Sequence, residues 1–334
     1  MRLLVTGGLG FIGSHFVRLV LKERRDSCVI NLDAMTYAGN PANLRDIEND
    51  PRYAFARGNI CDRAAVNTAI ARGVDAIVNF AAETHVDRSI LDAKAFLKTD
   101  VLGTHVLLEA AREANVARYL QVSTDEVYGN VPRGSSSETD VLAPRSPYAA
   151  SKASGDLQVL AFHATYGMPA LVTRGSNTYG PFQHPEKLIP LFVTNLIEDK
   201  SVPLYGDGKQ IRDWLHVEDH ARGILHVLEH GEAGHIYNIS GGNLRTNLEI
   251  TRRLISALGR SFDSHVRYVS DREGHDRRYA LDGRKIGRLG WQPKIPFEQG
   301  LSATVQWYRR NEEWWRPLKS REFAAYYDRQ YAHR

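Results

Sequence analysis

Tyr148-Ala149-Ala150-Ser151-Lys152 sets a phenol and an ammonium four residues apart. On a helix, residues i and i+4 share a face. A nearby cation favours a phenolate, so a Tyr with an ordinary pKa of about 10 becomes available as a base at neutral pH. The spacing alone is common on surface helices; its company gives it meaning. Ser123-Thr124-Asp125-Glu126-Val127-Tyr128-Gly129 follows an apolar run, where ligands bind in open α/β sheets. Thr124 is placed to hydrogen-bond the oxygen that reacts with Tyr148. Asp125 and Glu126 add what a simple alcohol oxidation does not need. Eliminating water requires one group to take a carbon-bound proton and another to protonate the leaving hydroxyl. Adjacent carboxylates on extended backbone point in different directions, and different surroundings can keep one protonated and the other ionised.

A hydride acceptor is also written into the chain. Gly7, Gly10 and Gly13 form G-x-x-G-x-x-G, with Gly8, Gly10 and Gly13 reading as G-x-G-x-x-G. Glycines allow the tight turn and let backbone approach a pyrophosphate at a helix N-terminus. Asp33 ends the next apolar run, where its carboxylate accepts from ribose hydroxyls and repels a 2′-phosphate, so NAD is the expected cofactor.

These groups need a scaffold. Leu3 to Thr6, Cys28 to Asp33, Ala76 to Ala82 and Tyr119 to Ser123 read as buried strands. Ser14 to Glu23, residues 94–114 and Tyr148 to Tyr166 read as helices, with Phe96, Leu97, Val101, Leu107, Leu108 and Ala111 as inward positions of the second. Alternation of this kind predicts an α/β, Rossmann-type doubly wound parallel sheet with a smaller C-terminal substrate-binding lobe. The division expected is 1–180 for the NAD-binding domain, with segments returning near 211–242 (Ile211 to Leu228 and Ile236 to Ile239). The lobe then comprises 181–210 and 243–334.

Composition narrows the function. The chain has 334 residues, 43% hydrophobic and 25% charged, as in a folded globular protein rather than a disordered one. Its net charge of +4 is spread without the basic block that a nucleic-acid partner needs. No run approaches the roughly 18 apolar residues of a membrane span, and glycines end the N-terminal apolar run before a signal peptide could form. Cys28 and Cys61 have no metal-ligand spacing, so no metal is expected, and a reducing, cytoplasmic setting is.

With these motifs in place, the chain resembles the extended short-chain dehydrogenase/reductase superfamily and, within it, the dTDP-glucose 4,6-dehydratases, over nearly its whole length. Beyond the motifs above, the likeness rests on Thr36 to Asn40, Ala81 to Ser89, Pro185 to Pro190, Gln210 to Trp214 and Gly274 to Tyr279. The Thr-Asp-Glu triplet and the Pro-Glu-Lys-Leu-Ile-Pro run belong to this group; the glycine motif belongs to the whole superfamily. The resemblance implies that Tyr148 takes the C4 hydroxyl proton of a dTDP-hexose while NAD accepts hydride. Glu126 then removes the C5 proton, Asp125 protonates the departing C6 hydroxyl, Thr124 holds the C4 oxygen and Lys152 assists Tyr148.

Implied cofactor contacts are Gly7, Gly10, Phe11, Ile12 and Gly13; Asp33, Ala34, Met35 and Thr36; Asn59 and Ile60; and Phe80, Ala81, Ala82, Thr84, Thr99 and Thr178, with Tyr148 and Lys152. Implied substrate contacts are Thr84, Thr124, Asn177, Lys187, Leu188, Pro203, Tyr205, Arg212 and Asn247, then His275, Asp276, Arg277, Arg278 and Tyr279. Arg212 and Arg277 are the expected diphosphate ligands, since a planar guanidinium suits phosphate oxygens. A homodimer through a four-helix interface of residues 94–114 and 147–166 is also implied. Three positions depart from the group's pattern: Thr178 where a second Asn is usual, Gly175 where Cys is usual, and Asp100 where Asn is usual. The rival readings are a nucleotide-sugar 4-epimerase or decarboxylase, a UDP-sugar dehydratase, and a non-catalytic nucleotide-binding protein. An epimerase has no need of Asp125-Glu126.

Overall fold

The structure is a computed structural model that describes residues 1–320 together with Phe323, Ala325, Tyr327, Gln330 and Tyr331. In chain order the strands are β1 (Arg2–Thr6), β2 (Cys28–Asp33), β3 (Tyr53–Arg57), β4 (Ala76–Asn79), β5 (Arg118–Thr124), β6 (Ala170–Gly175), β7 (Asn177–Tyr179), β8 (Val202–Tyr205), β9 (Ile211–His216), β10 (Ile236–Ile239), β11 (Leu244–Thr246) and β12 (Val266–Val269). Seven form one sheet in the order β10-β6-β5-β4-β1-β2-β3, every pair parallel. The direction of winding reverses between β1 and β4, and a crevice opens there at the strand ends.

Alternation along β1 shows why the sheet is covered twice. Leu3 and Val5 enter one core with Phe16, Val17 and Val20 of the helix Phe11–Glu23 and Ile224, Val227 and Leu228 of the helix Val217–His230. Leu4 enters the other, with Leu107 and Leu108 of the helix Thr104–Glu113 and Val159 and Phe162 of the helix Pro147–Tyr166. Successive strand residues face opposite layers, and each fully buried side chain contributes about 1.5–3 kcal/mol.

The helix Pro147–Tyr166 has clear local signals at both ends. Ser146 accepts the Ala149 N–H at 3.1 Å, Pro147 opens the first turn, and Gly167 closes the helix at φ 66°. The helix expected over 94–114 differs. It begins with Lys94–Phe96, passes through a π-helical stretch Leu97–Gly103 and becomes α-helical over Thr104–Glu113. The wider turn shifts the inward face. Phe96, Leu107, Leu108 and Ala111 are buried and Val101 is half-buried, but Leu97, expected inside, is 57% exposed.

The smaller lobe has a second core, in which Phe192, Leu196, Ile250, Leu254, Val305, Tyr308 and Trp315 meet. It carries the pair β12-β8 and the sheet β11-β9-β7. Of the segment expected to return to the main sheet, the Val217–His230 helix and β10 do so. β9 does not: the chain leaves the main sheet at Ser176, and β9 pairs with β7 and β11 instead. Among the described residues no helix is long and apolar enough to cross a membrane.

Candidate active site

Two cavities meet at the strand ends. The first runs along the crevice and is lined by Gly7, Gly10 to Gly13, Asp33, Ala34, Thr36, Asn59, Ile60, Phe80 to Thr84, Thr99, Tyr148 and Lys152. Gly7 stands at φ +69°, and a Cβ there would lie 2.7 Å from Ala81 N; one on Gly13 would lie 2.4 Å from Gly7 O. Only glycine permits both contacts. The helix Phe11–Glu23 begins at Gly10 with no side-chain cap, so its first N–H groups are left for an anion. Asp33 accepts Leu9 N–H at 2.9 Å and Met35 N–H at 2.8 Å, which fixes its carboxylate at the end of β2. A cradle for phosphate followed by a held carboxylate fits a dinucleotide without a 2′-phosphate.

Two expected cofactor residues stand elsewhere. Met35 takes φ 55° and turns to the surface. The Thr178 hydroxyl is engaged by Ser176 O at 3.1 Å and His220 Nδ1 at 2.7 Å, away from the cavity lining. The latter arrangement depends on Gly175, whose Cβ would fall 2.4 Å from the His220 ring.

The second cavity lies under the smaller lobe and is lined by His85 to Asp87, Glu126, Asn177, Glu186 to Leu188, Pro203 to Tyr205, Arg212, Asn247, Arg272 and His275. Glu186 and Lys187 line both cavities, so the two adjoin there. Arg212 on β9 donates to Ile211 O and Asp276 O, at 2.8 and 2.9 Å, and lies 4.2 Å over the Tyr279 ring. Burial pulls its guanidinium pKa down, and the charge of Arg272 adds to that. Arg272 also meets Asp87 at 3.4 Å, and the two buried guanidiniums in one cavity suit an anionic ligand. The amide oxygens of Asn177 and Asn247 are buried there without a protein partner among the described residues, as a hydroxylated ligand would require.

Further corrections fall on the segment after His275. Arg277 does not reach the cavity: it pairs with Asp207 at 2.7 Å on the surface. Arg278 donates to the carbonyls of Val131 and Gly134, and Asp276 meets Arg145 and Tyr279. These residues brace the cavity wall. Arg272, absent from the expected set, is the second guanidinium of the cavity. Its signal was present: Asp271-Arg272-Glu273-Gly274-His275 is the same motif begun three residues earlier.

Of the reactive groups, Tyr148 and Lys152 line the first cavity and Glu126 the second, while Thr124 and Asp125 are in the lining of neither. The turn Asp125–Tyr128 leaves β5 with Thr124 as its cap, accepting Glu126 N–H at 3.3 Å. The Thr124 hydroxyl donates to Asp125 Oδ1 at 3.1 Å and is near enough to the Tyr148 phenol to pull its pKa down. Asp125 is 3% exposed, and its Oδ2 is buried without a protein partner among the described residues. Burial first, then the charge of Glu126, pushes the Asp125 carboxyl well above its ordinary pKa, which favours the protonated form that can act as an acid. Glu126 reaches the second cavity, near the Lys187 and Arg272 cations and 3.4 Å from Tyr279 OH. Lys152 donates to Val122 O at 2.8 Å, which aims its ammonium under the cofactor cavity. The Tyr148 phenol is held protonated by burial, then by the charges of Glu126 and Asp100. Lys152 alone does not overturn this.

This arrangement agrees with what the sequence matches. Residues 4–304 match the family described as GDP-mannose 4,6 dehydratase. The dTDP-glucose 4,6-dehydratase of Streptomyces niveus is 51% identical over 97% of this chain and 98% of its own length. The chain belongs to the nucleotide-sugar 4,6-dehydratase family. The crystal structure of DesIV, a dTDP-glucose 4,6-dehydratase from Streptomyces venezuelae solved with NAD bound, superposes with a TM-score of 0.93 at 55% identity, covering 96% of this chain and all of that one (100%). The UDP-glucose 4-epimerase of Thermus thermophilus, also with NAD, shares the fold at TM-score 0.86 and 32% identity, covering 93% of this chain and 100% of that one.

Proposed function

We propose that this member of the 4,6-dehydratase family acts on dTDP-α-D-glucose, converting it to the 4-keto-6-deoxy sugar and water with NAD as a recycled cofactor. One observation carries the reading: beside Tyr148, two adjacent carboxyl groups occupy different surroundings, Asp125 buried and Glu126 facing the sugar cavity. Bound NAD⁺ supplies the hydride acceptor at C4 and returns the same hydride to C6. Tyr148, held by Thr124 and favoured as the phenolate by Lys152 together with the positive nicotinamide ring of bound NAD⁺, takes the C4 hydroxyl proton. The resulting ketone acidifies the C5 hydrogen, and Glu126 removes it. Asp125, protonated by virtue of its burial, delivers its proton to the C6 hydroxyl as the C–O bond breaks, so the oxygen leaves as water. Glu126 then returns a proton to C5 as C6 is reduced. Arg212 and Arg272 hold the diphosphate, and the Asn177 and Asn247 amides face the nucleotide sugar.

Incubation with dTDP-glucose, followed by alkali, reveals the chromophore of a 4-keto-6-deoxy product. Release of a galactose isomer alone refutes the reading. Competition of dTDP against UDP decides the base, for which dTDP is expected to bind tighter.

The protein functions as a homodimer through the residues 94–114 and 147–166. Exposed Leu97, Leu102, Leu157 and Tyr166 support this, because exposed large apolar groups on neighbouring helices favour burial against a second copy. Light scattering should give twice the chain mass at micromolar concentration; a monomer there refutes the dimer. Two unpaired cysteines suit a reducing cytoplasm.

A further inference from the structure

Asp100 lies in the π-helical stretch, next to Thr99 of the cofactor cavity, and is 2% exposed. Its Oδ1 accepts the Glu83 backbone N–H at 2.9 Å, and its Oδ2 accepts the Ser151 hydroxyl at 2.7 Å. Glu83 belongs to the cavity wall beyond β4; Ser151 sits between Tyr148 and Lys152 on the helix Pro147–Tyr166. One carboxylate thus ties the cofactor wall to the reactive helix. The segments approach closely because residue 155 is glycine, where a Cβ would lie 3.1 Å from Asp100 O, and Gln158 donates to Val101 O at 3.1 Å.

An asparagine would keep both ties. Its oxygen would accept from Glu83, and its amide would donate to Ser151 Oγ, whose own proton already has Tyr148 O within 2.8 Å. Geometry alone therefore does not call for an ionisable group here, yet this chain buries one. We propose that Asp100 is a positioning residue whose buried carboxyl, joined through Ser151 to the turn that carries Tyr148, fixes the pH at which Tyr148 becomes a base. The proposal rests on Tyr148 being the base.

The charged and titratable groups facing this pair are few. Tyr148, Lys152 and Asp156 come from the helix, Lys98 from the π-helical stretch, Glu83 from the wall beyond β4, Cys61 from the loop after β3, and Asp125 with Glu126 from the end of β5. Burial pushes the Asp100 carboxyl up while Lys152 pulls it back. Asp100 in turn raises the Tyr148 phenol. Removing its charge leaves Glu126 as the main opposing charge and shifts the balance toward the phenolate.

The test is the pH profile of kcat on dTDP-glucose for the NAD-bound enzyme, its D100N variant and a second neutral variant, D100S. Alongside it, the tyrosinate absorbance of each is titrated against the same protein carrying Y148F. D100N should move the acid limb, and the Tyr148 titration, about one pH unit lower while retaining bound NAD. D100S should show the same shift with a lower plateau, because it loses the ties, and it serves if D100N does not fold. Superimposable profiles, or a lower plateau with no shift in either variant, overturn the proposal. Y148F separates the two layers. If it retains turnover, the assignment of the base is wrong. If it loses more than about 10²-fold and D100N shows no shift, only the role of Asp100 falls.

Discussion

Gly13→Ala and Gly10→Ala should separate folding from cofactor binding within one motif. At Gly13 the added Cβ would stand 2.4 Å from Gly7 O and 2.9 Å from Gly8 Cα, where ordinary contact begins near 3.4 Å. About 1 Å of backbone movement is needed. It must come from a loop pinned by Gly7 N–H to Leu32 O at 3.0 Å and Gly10 N–H to Gly7 O at 3.1 Å. Overpacking of this kind costs about 1–3 kcal/mol. The same displacement moves the N–H groups that would meet the pyrophosphate. NAD affinity should therefore fall about 10–100-fold, at 1.4 kcal/mol per decade. At Gly10 the backbone is at φ −74° and ψ 176°, open to any residue, and the Cβ meets only Gly7 O, at 3.2 Å. Its apo protein should stay within about 0.5 kcal/mol of the parent, while NAD binding suffers because Gly10 lines the cavity. Calorimetric melting of cofactor-stripped protein and isothermal titration with NAD⁺ read both quantities. A Gly13→Ala protein that melts like the parent and binds NAD⁺ equally well refutes the reasoning. So does a Gly10→Ala protein whose apo form melts as low as Gly13→Ala.

Burial holds the imidazoles of His85 and His220 down at about 4. Their folded pKa lies below the unfolded value of about 6.5, so between those limits the unfolded chain binds more protons and stability falls as pH drops. Each site removes up to about 3 kcal/mol by the lower limit, so Tm measured from neutral to mildly acid pH should fall steadily, and a flat Tm refutes the burial of neutral imidazole. Arg272→Ala should raise KM for the nucleotide sugar at least 10-fold, whereas Arg277→Ala, which removes only an exposed pair with Asp207, should change KM less than about 2-fold; steady-state kinetics showing the reverse order would restore Arg277 as the diphosphate ligand.

What could be read from the chain, and what could not, follows the range of the forces involved. The glycine motif, Asp33 and the Tyr148–Lys152 pair are local: their spacing is set by one turn or one helix, and each falls where its spacing requires. The alternation of buried strands and helices announces the parallel sheet in the same way. Leu97 breaks the pattern because a π-turn widens the helix, and apolar periodicity assumes a constant turn. β9 leaves the main sheet because β7, only one residue beyond β6, offers it a different edge. Thr178 turns from the cofactor because Gly175 lets the distant His220 approach, a contact across 42 residues that no spacing reveals. Arg272 and Arg277 sit five residues apart in one segment, and only the tertiary partners tell them apart: Asp87 and the cavity for one, surface Asp207 for the other.

The two carboxyl groups after Thr124 are tested most directly by the Asp125→Asn plus Glu126→Gln protein, mixed in a single turnover with dTDP-glucose. Oxidation at C4, seen as absorbance of the reduced nicotinamide, should proceed and then persist, while loss of the C6 oxygen slows by about 10²–10⁴-fold. Deoxygenation at the parent rate would contradict the account.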